Sequence, residues 1–130
     1  NTDAPAGFSY SLRNTISVAD ASIGSAQFSG LQQSIEGYNM ADLGWGTANA
    51  NTVTLSFWVR SSLTGTFGGS LTNNNGDRSY PFTFTISSAN TFEYKTITIN
   101  FFFKKFGIYS DKNSKSAFLG HIYCAIPLFL

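Results

Sequence analysis

The residues of this chain best equipped for recognition are Trp58 and Arg60, two positions apart in Thr54-Leu55-Ser56-Phe57-Trp58-Val59-Arg60. In an extended backbone, side chains two apart share a face, so an indole and a guanidinium would stand together there. The indole offers a flat apolar surface to the C–H face of a pyranose, and the guanidinium donates to its hydroxyls, which is the combination sugar binding asks for. Trp45, set between Gly44 and Gly46, is a second candidate platform, and Arg78 with Tyr80 opens the strand that follows an Asn-rich turn. The candidate ligand-binding set is therefore Trp58, Arg60, Trp45, Arg78 and Tyr80. Beside it stands a structural alternative, in which Trp58 fills space beneath a second sheet or a loop and Trp45 pins a crossover onto the core.

Catalysis needs a nucleophile with its base, a pair of carboxyl groups or a set of metal ligands. His121 is the only histidine and Cys124 the only cysteine, so Ser-His or Cys-His chemistry would hang on the last thirty residues, and no internal disulfide or Cys-rich zinc site can form. Glu36, Asp42, Asp77 and Glu93 could contribute a glycosidase pair, which requires a separation of roughly 5 to 10 Å. They read first as turn caps and solvated charges, and no enzyme activity is expected. Asp77 beside Asn73, Asn74 and Asn75 presents oxygen donors of the kind calcium takes; the plainer reading is a polar hairpin tip, so no cofactor is expected, with structural calcium as the alternative. A net charge of +1 gives no dense basic patch for nucleic acid or an acidic membrane surface.

The elements that would carry these residues are strands. Aromatic residues make up 16% of the 130 residues and charged ones only 12%, a mixture suited to pleated strands and tight turns. Residues 8–16 alternate Phe8, Tyr10, Leu12 and Ile16 with polar neighbours and predict a first strand. Residues 28–35 are a second candidate, in which Gly30 suggests a bulge or close packing. Residues 36–45 suit a short helical turn or ordered loop that crosses between sheets. The clearest strand spans 52–60, with Val53, Leu55, Phe57 and Val59 on its core face. A strand over 66–71 follows the Thr64-Gly65 turn, and residues 73–77 predict a hairpin. Tyr80, Phe82, Phe84 and Ile86 alternate next, with Pro81 marking a strand start or an edge. Residues 92–99 form the last clear strand, where a change of parity between Tyr94 and Ile97 predicts a bulge near Lys95.

Composition then changes. Residues 1–100 carry a net charge of −2 and residues 101–130 a net of +3, with Phe101, Phe102, Phe103 and Phe106 crowded beside Lys104 and Lys105. The apolar run 117–130 is too short to span a bilayer comfortably. Asn1 opens the chain without a basic stretch and apolar signal core behind it, so no secretory leader is expected and a longer parent chain is.

Four ordered motifs carry a family likeness: Leu31-Gln32-Gln33-Ser34-Ile35-Glu36-Gly37-Tyr38-Asn39, then Ala41-Asp42-Leu43-Gly44-Trp45-Gly46-Thr47, then Val53-Thr54-Leu55-Ser56-Phe57-Trp58-Val59-Arg60-Ser61, and Asn90-Thr91-Phe92-Glu93-Tyr94-Lys95-Thr96-Ile97-Thr98. Together they resemble the jelly-roll, carbohydrate-binding-module-like (galactose-binding-like) domains of bacteriophage tail fibres and other virion structural proteins, common in marine metagenomic sequences. Phe92 stands where that family usually has Trp, and 101–130 matches none of its closing strands. The resemblance implies an all-β jelly-roll sandwich over 1–99, incomplete at its C-terminal end, with 100–130 an atypical tail of truncated or frameshifted sequence. It further implies a non-catalytic structural or glycan-binding part of a virion, extracellular in action, whose partners are host-surface glycans and other virion proteins rather than nucleic acid or membrane. An accessory carbohydrate-binding module of a polysaccharide-degrading enzyme and a ligand-free spacer are the alternatives.

Overall fold

The computed structural model describes residues 3–18, 30–45, 47–73, 79–100 and 121–125. Its strands are β1 (Val53–Val59), β2 (Gly65–Thr72), β3 (Ser79–Ile86), β4 (Glu93–Ile99) and β5 (His121–Ala125). They form two antiparallel sheets among the described residues, one with β1 beside β4 and one ordered β3-β2-β5. The described residues are therefore all-β apart from a seven-residue 3-10 helix over Gly37–Leu43.

Period-two sequence explains which faces meet. Along β3, Phe82, Phe84 and Ile86 are buried while Pro81, Thr83 and Thr85 are exposed. Along β1, Val53, Leu55, Phe57 and Val59 turn inward and Thr54, Ser56 and Trp58 outward. The two inner faces pack together: Leu55, Phe57, Val59 and Ile97 lie against the buried cluster of Phe67, Phe82, Phe84 and Ile86. Phe84 anchors it, meeting Phe57 edge-on at 5.1 Å and stacking with Phe67 at 5.9 Å. A second cluster of Trp45, Leu71 and Ile99 continues this core, since Leu55, Tyr80 and Ile97 pack against both. Ile86 and Ile99, the most completely buried side chains among the described residues, each contribute about 1.5–3 kcal/mol through removal from water.

The connections have local causes. The 3-10 helix ends at Gly44, whose φ of 59° is left-handed and whose N–H donates to the Ala41 carbonyl; a side chain here would be strained in the backbone. Asn51 then fastens the crossover, its N–H donating to Leu43 O at 2.8 Å and its amide to Asp42 O at 3.2 Å. β2 and β3 pair antiparallel as the predicted hairpin requires, Thr72 opposite Ser79, while residues 74–78 of the connection between them lie outside the described residues. Pro81, which lacks an N–H, lies on β3 at the edge of its sheet, as the missing donor requires.

Three expectations are corrected. Residues 8–16 form no strand, and Phe8, Tyr10 and Leu12 are 59–76% exposed; alternation gives a segment a strand-like face, but a strand also needs a neighbour for its backbone ladder. The described part of the second candidate, 30–35, is likewise not a strand. There is no bulge at Lys95, because the register runs unbroken from Val53 opposite Ile99 to Val59 opposite Glu93. The change of parity arises instead from Tyr94, an aromatic residue on the outward face. Beyond the expected module, β5 comes from the C-terminal stretch and pairs antiparallel with β2, His121 opposite Thr72 and Ala125 opposite Gly68.

Candidate carbohydrate-binding face

The outward face of the β1–β4 sheet is built from facing pairs. The register sets Thr54 opposite Thr98, Ser56 opposite Thr96 and Trp58 opposite Tyr94, all of them exposed. Side chains directly opposite on antiparallel strands are about 4.5–5.5 Å apart at Cβ, so this register brings the two rings together without help from any loop. Trp58 and Tyr94 have centroids 5.3 Å apart and planes inclined at 51°, and remain 41% and 54% exposed. The result is a two-ring platform beside two rows of hydroxyls.

Arg60 extends the same parity just past the end of β1. Its guanidinium lies 5.5 Å from the centre of the Phe92 ring, a cation–π contact, and it forms a hydrogen-bonded ion pair with Asp3. Asp3 also lies 4.0 Å from Arg13, and its carbonyl accepts from the Ser11 hydroxyl at 2.5 Å. The segment before the first strand is thus tied to the aromatic end of the face.

Behind the platform, Glu93 and Lys95 sit on the inward parity of β4, joined at 2.5 Å with side chains only 16% and 19% exposed. The other oxygen of Glu93 accepts the N–H groups of Ser87 at 2.9 Å and Ser88 at 2.7 Å. The Lys95 hydrogen bond chiefly, then the Ser88 N–H, holds the Glu93 carboxyl below the usual 4.5. This carboxylate fastens the β3–β4 connection at the residue next to Tyr94.

The candidate residues therefore separate. Trp58 and Arg60 share the outward face as their spacing predicted, and the structure adds Tyr94 and Phe92, which sequence inspection passed over. The signal available was Trp58 and Tyr94 each falling on the polar parity of a strand; the missing information was register. Trp45 is placed in the core at 8% exposure, its Nε1 donating to Asn51 O at 3.3 Å. Its ring offers no open face for stacking, so its position agrees with the structural alternative. Tyr80 is partly buried and packs against both core clusters. Arg78, and Asn74, Asn75 and Asp77 of the calcium alternative, lie outside the described residues.

Among the described residues, no group of three or more His, Cys, Asp or Glu is assembled as metal ligands, and no helix is long and apolar enough to cross a membrane. No family model, no curated protein and no solved structure matches the chain.

Proposed function

We propose that this chain is a non-catalytic, jelly-roll-type module that binds carbohydrate on the outward face of β1 and β4, acting in a virion appendage that meets host-surface glycans and other virion proteins. The observation that carries the binding role is the exposed Trp58–Tyr94 pair, set between the Ser and Thr pairs of β1 and β4 on one side and Arg60 with Phe92 on the other. Stacking on a sugar ring uses the apolar surface of the rings, and Thr54, Ser56, Thr96 and Thr98 supply hydroxyls that both donate and accept. A face whose only role was to be solvated would have no need of two adjoining large rings.

The jelly-roll reading draws on strand order. β1 and β4 pair around the β2–β3 hairpin, which belongs to the other sheet, and this nesting of one antiparallel pair around another is how a jelly roll is wound. The non-catalytic reading draws on the platform's surroundings: Asp3 is engaged by Arg60, and Glu93 by Lys95 and two backbone N–H groups. A glycan array on the full chain tests the role, with Trp58→Ala as the companion variant. Glycans retained by the parent and lost by the folded variant support it; retention by both, or no retained glycan on a folded parent, overturns it.

A further inference from the structure

We infer that the ligand of this face is an anionic glycan bearing uronate carboxylates, recognised through Arg13 beside Arg60; this rests on the sugar-binding reading of the β1–β4 face. The outward positions Thr54, Ser56, Trp58, Tyr94, Thr96 and Thr98 are all uncharged. Among the described residues, the charges at the aromatic end are Arg60, Asp3 and Arg13, two guanidinium groups against one carboxylate, with Glu93 and Lys95 behind them paired to each other, so positive charge is in excess there by one.

The two cations are not equivalent. Arg60 is fixed from two sides, by Asp3 and by its place over Phe92, and its side chain is 29% exposed. Arg13 is 63% exposed and reaches Asp3 only at 4.0 Å, a separation and exposure at which an ion pair adds little. An incoming carboxylate can therefore take Arg13 at small loss, and the guanidinium fork suits it because two parallel N–H groups match two carboxylate oxygens. Asp3 has the opposite effect, since it repels an anion and holds both cations. The electrostatics of the site therefore favour a uronate over the neutral sugar of the same shape.

Matched pairs of neutral and uronate tetrasaccharides in the gluco, manno and galacto series, titrated calorimetrically against the full chain, test this. In at least one series the uronate binds about fivefold more tightly at low salt, and the preference shrinks in 0.5 M sodium chloride as screening predicts. Arg13→Gln abolishes the preference without weakening neutral binding, whereas Asp3→Asn enlarges it. Equal or weaker binding of the uronate, with Trp58→Ala still abolishing binding, overturns this inference and leaves the sugar-binding role standing. A uronate preference insensitive to both Arg13→Gln and Asp3→Asn also overturns it. Binding of no tetrasaccharide by the folded chain overturns both readings.

Discussion

Truncating the two tryptophans separately distinguishes a ring that builds the fold from one that faces a ligand. Trp45 is 8% exposed and packs with Leu71 and Ile99, so Trp45→Ala removes almost a whole buried indole and leaves a cavity, at a cost of about 3–5 kcal/mol. Trp58 is 41% exposed and meets Tyr94 across the strand pair; Trp58→Ala forfeits that pair interaction and the burial of only part of the ring, about 1.5–3 kcal/mol in all. A domain of this size has about 5–15 kcal/mol in total, and each kcal/mol moves its melting midpoint by about 3–6 °C. Trp45→Ala is therefore expected to lower the midpoint by about 10–30 °C, or to leave no folded state at ambient temperature. Trp58→Ala is expected to lower it by about 5–18 °C. Thermal unfolding followed by near-ultraviolet circular dichroism, with urea titration as a second measure, reads both. A Trp58→Ala loss equal to that of Trp45→Ala would refute the reasoning, because the outward ring would then be structural.

Two further outcomes follow from the elements that support the platform. Because the Glu93 carboxyl is held below its usual 4.5 by Lys95 and the Ser88 N–H, its stabilising contribution is fully present above that value and is lost as pH falls through the lowered one; urea titrations of Glu93→Gln and the parent from pH 7 to pH 2 should converge at the acid end, and a gap independent of pH would refute the assignment. At Gly44, a Cβ would meet the Asn49 carbonyl oxygen at 3.4 Å on a backbone with φ of 59°, so Gly44→Ala is expected to cost about 1–2 kcal/mol and Gly44→Asn less, since Asn tolerates this conformation; equal midpoints for Ala and Gly at this position would contradict it.

Much of this architecture is legible in one dimension. The alternations at 53–59 and 80–86 name the inward residues correctly, because a strand buried on one face must repeat every two residues and the chain carries that repeat itself. The Asn- and Gly-rich stretch falls between the two strands that pair, and Gly37–Leu43 with Gly44 behind it locates the helical turn, because its cap needs a residue that accepts a left-handed backbone. The pairing of Trp58 with Arg60 on one face also follows from spacing alone.

What sequence could not decide was anything that depends on which strand lies beside which. Tyr94 joins Trp58 because β4 returns antiparallel to β1 in a register that sets those two opposite, and that register is fixed by the cores of both sheets together. Trp45 and Trp58 look equally suited to stacking as residue types, yet one is covered by Leu71 and Ile99 and the other faces outward. Residues 8–16 show the converse: they have the alternation of a strand but form none, since periodicity describes one chain segment and a ladder requires two. Residue order thus determined which side chains could share a face, and tertiary packing decided which faces were covered, because burial belongs to the assembled sheets rather than to any one strand.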